Sequence, residues 1–80
     1  MISDLKTDKK VVGVKQSRKA VAGGNAAEAF IAEDCEENIK TDFAELCRQY
    51  SVPLHVVPTM TELGAACGIQ VGAAAAVLLR

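Results

Sequence analysis

Asn38-Ile39-Lys40-Thr41-Asp42-Phe43-Ala44-Glu45-Leu46-Cys47-Arg48-Gln49-Tyr50 is followed after a short gap by Leu54-His55-Val56-Val57, and then by Thr59-Met60-Thr61-Glu62. Ile39, Phe43, Leu46, Cys47 and Tyr50 recur at the spacing of one helix face, so residues 38–50 are expected to form an amphipathic helix. Pro53 marks its exit. Leu54–Val57 is a short β-type run ended by Pro58. Thr59 and Glu62 have the spacing of a capping box, with the Thr hydroxyl placed to satisfy a free N–H of the next helix. Leu63, Ala66 and Cys67 fall on one face of that helix, and Gly68 ends it. The stretch therefore reads helix, strand, helix.

The same alternation extends to both ends. Residues 2–9 read as a short helix with Ile2 and Leu5 on one side, and Val11–Val14 as a short strand. Residues 15–22 read as a helix stopped by Gly23-Gly24, and Met60 reads as a surface residue at the start of the helix capped by Thr59. Glu28–Glu33 reads as a strand, and Ala73–Leu79 as a final apolar strand buried on both sides. An α-β-α-β-α-β-α-β order predicts an α/β fold with helices layered on a sheet. At 80 residues the chain is one domain, 1–80, with a thin core.

Several function classes lack a basis in the residues. The opening residues have no apolar stretch after their cations, so no signal peptide is read. Leu63 to Leu79 is apolar but falls short of the ~20 residues of a membrane span, and Gly64, Gly68, Gln70 and Gly72 interrupt it. A cytoplasmic protein without a membrane partner is expected. Cys35, Cys47 and Cys67 are odd in number, widely spaced and form no CxxC pair, so neither a disulfide framework nor a zinc site is suggested. Cys47 and Cys67 lie on core stripes. Cys35 sits at a strand end and is expected to be partly exposed. The lone His55 falls within a strand, as a packed or half-exposed residue, and offers no base to a cysteine nucleophile. Glu33, Asp34, Glu36 and Glu37 are read as a solvated turn and helix start rather than a metal site. Neither GxxxxGK[ST] nor GxGxxG occurs. No enzyme and no cofactor are expected.

Net charge is −1, yet the charges are segregated. Lys6, Lys9, Lys10, Lys15, Arg18 and Lys19 face only Asp8 along residues 6–19, whereas residues 28–45 hold seven acids against Lys40. One basic and one acidic face follow. A basic face of this size is either a nucleic-acid surface or an ordinary solvated helix. Two segments bear on the choice. Gly13-Val14-Lys15-Gln16-Ser17-Arg18-Lys19 sets a strand-to-helix turn beside hydrogen-bond donors; free N–H groups at such a helix start favour phosphate, and Lys15 and Lys19 share a face. Gly68-Ile69-Gln70-Val71-Gly72 joins a helix to a strand. Exposed, it can pack on an unstacked base; buried, it merely leads into the last strand.

These segments carry a resemblance. Gly13-Val14-Lys15-Gln16-Ser17-Arg18-Lys19-Ala20-Val21 resembles the G-T-[NK]-[EQ]-x-x-K-A signature of the kink-turn-binding ribosomal proteins of the L-seven-Ae and L-thirty-e type. Phe30-Ile31-Ala32-Glu33-Asp34 is similar to that family's central strand, and Leu63–Ala74 to its L-G-x-A-[AC]-G segment and following loop. The likeness covers nearly all of residues 10–80 and is nearest to the short bacterial, ribosome-associated members. It implies a three-layer α/β/α sandwich around a four-stranded mixed sheet. It also implies a non-enzymatic RNA-binding protein, monomeric, whose partner is structured RNA with a kink-turn in ribosomal RNA or a riboswitch, and with it the ribosome. Carried over, Gly13 allows the close approach, Lys15, Gln16 and Lys19 address the sheared G·A pairs in the groove at the kink, and Glu36, Ile69 and Val71 border the flipped-out nucleotide. Val14, Arg18, Gln70 and Gly72 complete the expected RNA-binding set. The chain departs from the family pattern in Val14 for a common Thr, Ala65 for a usual Lys or Arg, and Val71 for a frequent Arg. The alternative is a protein-interaction module using the acidic face, or a substrate-RNA-recognition domain of the kind found in some RNA methyltransferases. Because the chain runs from Met1 through a final strand, a whole domain is expected rather than a fragment.

Overall fold

The computed structural model describes Thr7 and residues 9–80. Seven elements follow in order: β1 (Lys10–Val12), α1 (Val14–Ala22), β2 (Ala26–Ala32), α2 (Glu37–Gln49), β3 (Leu54–Val57), α3 (Met60–Cys67) and β4 (Ala75–Leu79). The four strands form one mixed sheet in the order β1-β4-β2-β3. β4 runs antiparallel to both β1 and β2, and β2 runs parallel to β3.

The core explains this order. Successive strand residues point to opposite faces of a sheet. Ala29, Phe30, Ile31 and Ala32 of β2 are all buried, as are Ala75, Ala76, Val77 and Leu78 of β4. The two central strands are therefore covered on both faces, as continuous apolar runs require. α1 packs against α2 and the sheet, and α3 packs on β2, β3 and β4, giving the expected α/β/α layering. Of the edge strands, β1 is half-buried, and β3 is half-buried at Leu54 and His55, exposed at Val56 and buried at Val57. Phe30 and Phe43 are the largest side chains that are fully enclosed, and truncating either to Ala costs about 3–5 kcal/mol in sites of this kind.

Several boundaries move. β2 begins at Ala26, two residues before the expected start, and a register shift between Ala26 and Glu28 accompanies the early residues. Ala26-Ala27 has low strand propensity, and the bulge breaks the alternation by which a strand is recognised. Val14 starts α1 instead of ending β1. Tyr50, expected on the apolar stripe of α2, caps the helix instead and is 47% exposed. Met60 is half-buried against the core rather than a surface residue. The short helix expected over residues 2–9 lies outside the described residues except at Thr7 and Lys9, and neither of these is helical.

His55 is half-exposed as expected. Its Nε2 lies 2.7 Å from Glu28 Oε1, and its ring stacks obliquely on Phe30. Cys35 is not partly exposed: only 8% of its surface remains accessible. The turn after β2 folds back, with Cys35 N–H donating to Ala32 C=O, and this carries the thiol inward, where it donates to the Glu36 carbonyl at 3.6 Å. Burial raises the pKa of all three thiols, that of Cys47 to about 11. They stay protonated near neutral pH and are poor nucleophiles. Among the described residues no group of His, Cys, Asp and Glu is arranged to hold a metal ion, and no helix is long and apolar enough to cross a membrane.

Candidate nucleic-acid interface

β1, β2 and β3 all run in the same direction, because β1 and β2 are each antiparallel to β4 and β3 is parallel to β2. Their C-terminal ends meet at one end of the sheet, where β4 begins. Four connections converge there: Gly13, residues 33–36, residues 58–59 and residues 68–74. This is the end of an α/β sheet at which ligands generally bind. Every residue singled out in the sequence as a binding candidate belongs to one of these connections or to α1.

Gly13 makes the first turn. Its N–H donates to Ala75 C=O at 2.8 Å and its carbonyl accepts from Ser17 N–H at 2.9 Å. It holds φ 103° and ψ 152°, a region essentially restricted to glycine. β1 thereby passes into α1 with no intervening loop. Gly13 provides no side-chain cap to α1, and no acidic residue lies in its first turn. Among the described residues the positive end of the helix is left open at the sheet end. Ser17, Ala20 and Val21 face inward and Val14 is half-buried. Lys15, Gln16, Arg18 and Lys19 are exposed.

The neighbouring α2 sets a contrast. Its cations are engaged: Lys40 pairs with Glu33 at 3.2 Å and Glu37 at 3.5 Å, and Arg48 pairs with Glu45 at 2.6 Å. These carboxylates raise the pKa of both cations. Among the described residues, none of Lys15, Arg18 and Lys19 has a carboxylate partner. The charge of α1 is therefore available to a ligand.

The second element is the 68–72 loop. Gly68 ends α3 in the left-handed conformation, φ 83°. The chain then folds back on its own helix. Ile69 N–H donates to Gly64 C=O at 3.0 Å, the Val71 carbonyl rests where a side chain on Gly64 would sit, and Gly72 lies against Met60. All five residues are exposed, Ile69 at 37% and Val71 at 70%. Of the two readings open in the sequence, the exposed one is correct. The loop presents an uncharged, partly apolar tip.

The third element is the turn 33–36. Glu36 is exposed and precedes α2 as its N-cap, making no side-chain cap bond. Asp34, read in the sequence as a solvated turn residue, makes the long-range bond of this region: its Oδ1 accepts from Met60 N–H at 2.8 Å. Asp34, Met60 and Gly64 were not candidates. No signal in the sequence joins Asp34 to a residue 26 positions away, whereas Gly64 inside an otherwise helical run was a visible irregularity.

The sequence profile of the "Ribosomal protein L7Ae/L30e/S12e/Gadd45 family" matches residues 3–80. An RNA-binding protein of Caldanaerobacter subterraneus is 44% identical over 68 residues, covering 85% of this chain and 83% of the relative. RNA-binding protein YbxF of Geobacillus stearothermophilus is 41% identical over 76 residues, covering 95% and 93%. A solved structure described as a protein with unknown function from Bacillus halodurans superposes with TM-score 0.87 over 99% of this chain and 83% of that one, at 23% identity, and so shares the fold. The chain therefore belongs to the Ribosomal protein L7Ae/L30e/S12e/Gadd45 family.

Proposed function

We propose that this protein is a non-enzymatic, cytoplasmic, ribosome-associated RNA-binding protein that recognises kink-turns, in which tandem sheared G·A pairs flank a bulge. The observation that carries the reading is the open start of α1. Among the described residues, an open helix end, Lys15, Arg18 and Lys19 without a carboxylate partner, and exposed Gln16 stand at the same sheet end as the exposed tip Ile69–Val71. The names of the relatives, RNA-binding proteins, support the class of ligand.

The chemistry favours a deformed helix over a regular one. A-form RNA has a deep, narrow major groove closed to side chains. A kink widens it and lets a helix end enter. Gln16 can donate and accept at a base edge, and Lys15 and Lys19 donate only. Glu36, Gln70 and Gly72 border the place where a flipped-out nucleotide would lie, with Ile69 and Val71 giving it an apolar seat. Val71, uncharged, supplies packing without phosphate attraction, so the ionic part of binding falls to α1.

A gel shift with a kink-turn RNA, beside the same RNA with its G·A pairs replaced by Watson–Crick pairs, tests this. Binding to the first and much weaker binding to the second is expected. Equal binding to both leaves an RNA binder without kink-turn specificity, and binding to neither favours an interaction module using the acidic face.

A further inference from the structure

The Asp34–Met60 contact joins two of the three elements of the candidate interface. Met60 is the first residue of α3, so its N–H has no partner within the helix. Thr59, the N-cap, satisfies a different donor, Glu62 N–H at 3.1 Å. Asp34 satisfies Met60 with a carboxylate, a stronger acceptor than a neutral oxygen, at the positive end of the helix. The same Met60 residue continues the chain of contacts. Its carbonyl accepts from Ala73 N–H at 3.0 Å, and Gly72 lies against its Cβ. Asp34 itself stands two residues before Glu36, in a turn pinned by Glu33 N–H donating to Val57 C=O at 2.8 Å.

We propose that Asp34 is a positioning residue for RNA binding: through the Met60 backbone it fixes the 69–72 loop relative to the turn that bears Glu36. This rests on the kink-turn reading above. The effect is indirect, because the Asp34 carboxylate is directed at α3 and not at the RNA. It follows that the acceptor oxygen is what matters. Asn at this position retains it and Ala does not.

The test is isothermal titration of the full chain with a kink-turn RNA, using wild type, Asp34→Ala, Asp34→Asn, Val71→Ala and the Asp34→Ala/Val71→Ala double variant. Asp34→Ala is expected to weaken binding roughly tenfold. Asp34→Asn should stay within about twofold of wild type, since an amide oxygen can replace the carboxylate as acceptor. In the Val71→Ala background the loss from Asp34→Ala should shrink, because residues acting through one loop are not additive. Amide exchange at Met60 and at Ala73 should both speed up in Asp34→Ala. Should Asp34→Ala fail to fold, Asp34→Ser takes its place, its side chain being too short for the contact and suited to a turn. Unchanged affinity in Asp34→Ala, full additivity with Val71→Ala, or faster exchange at Met60 alone overturns the proposal. A wild-type protein that binds kink-turn and plain duplex equally overturns the kink-turn reading instead, and Ala73 exchange still decides whether the relay through Met60 exists.

Discussion

The two main arms of the candidate interface are both shaped by glycine, for opposite reasons. At the β1–α1 junction, Gly13 has open space where a side chain would go, and glycine is needed because φ is 103°. Within α3, beneath the loop that leads to β4, Gly64 has ordinary helical backbone, and glycine is needed because the Val71 carbonyl occupies the place of a side chain. The first arm is set by backbone torsion and carries charge. The second is set by close packing and carries none. One glycine can therefore be replaced at the cost of local strain, whereas the other can be replaced only by moving a loop.

Gly64→Ala should have the largest effect. The new methyl group meets backbone rather than a flexible side chain, so the loop must shift. A loss of about 3 kcal/mol or more is expected in urea unfolding, together with weaker RNA binding. A stability within experimental error of wild type would show that the two arms do not differ in this way.

Gly13→Ala should cost roughly 1–3 kcal/mol from torsional strain, with no steric overlap. Its refinement is Gly13→Asn, which should be strained in the same manner, because ψ 152° lies outside the left-handed well that Asn tolerates. Rescue by Asn would indicate a different local backbone.

How much of this was readable in the chain follows the same division. Torsion and periodicity leave local marks. The stripe Ile39, Phe43, Leu46, Cys47 foretold α2; Thr59 and Glu62 foretold the start of α3; Gly68 foretold its end; and the run to Leu79 foretold a central strand. The Gly13–Lys19 segment was legible as a helix start beside donors. Packing leaves no such marks. Val11-Val12-Gly13-Val14 looked like one β-type run because β-branched residues suit strands, yet Val14 is drawn into α1 by the turn at Gly13. The burial of Cys35, the bond from Met60 to Asp34 and the seat of Val71 on Gly64 are tertiary, made between residues that no local pattern connects. The exposure of the 68–72 loop was undecidable for the same reason.

A smaller effect separates the inner and outer faces of α1. Ser17 is fully buried, and among the described residues its hydroxyl has no hydrogen-bond partner. Ser17→Ala removes an unsatisfied polar group and adds helix propensity, so stability should rise by about 1 kcal/mol, with RNA affinity unchanged. A fall in stability would mean that the hydroxyl is satisfied. The salt dependence of binding then measures the outer face. With only Lys15, Arg18 and Lys19 and their neighbours available, the log–log slope of affinity against salt should be about −2 to −4. A slope near zero would remove α1 as the RNA surface.

The claim on which the rest depends is that the start of α1 reads bases whereas the cation at the start of β1, Lys10, only attracts backbone. Lys15 and Gln16 follow Gly13 at the open helix end; Lys10 lies on β1 with its ammonium donating to Thr7 C=O at 2.7 Å. Base contacts specify and phosphate contacts position. Isothermal titration of Gln16→Ala and Lys10→Ala against a kink-turn RNA and a plain duplex tests this directly. Gln16→Ala should lose about 1–3 kcal/mol on the kink-turn and little on the duplex, and Lys10→Ala should weaken both alike and by less. If Gln16→Ala lowers both affinities by the same factor, the start of α1 does not read the RNA.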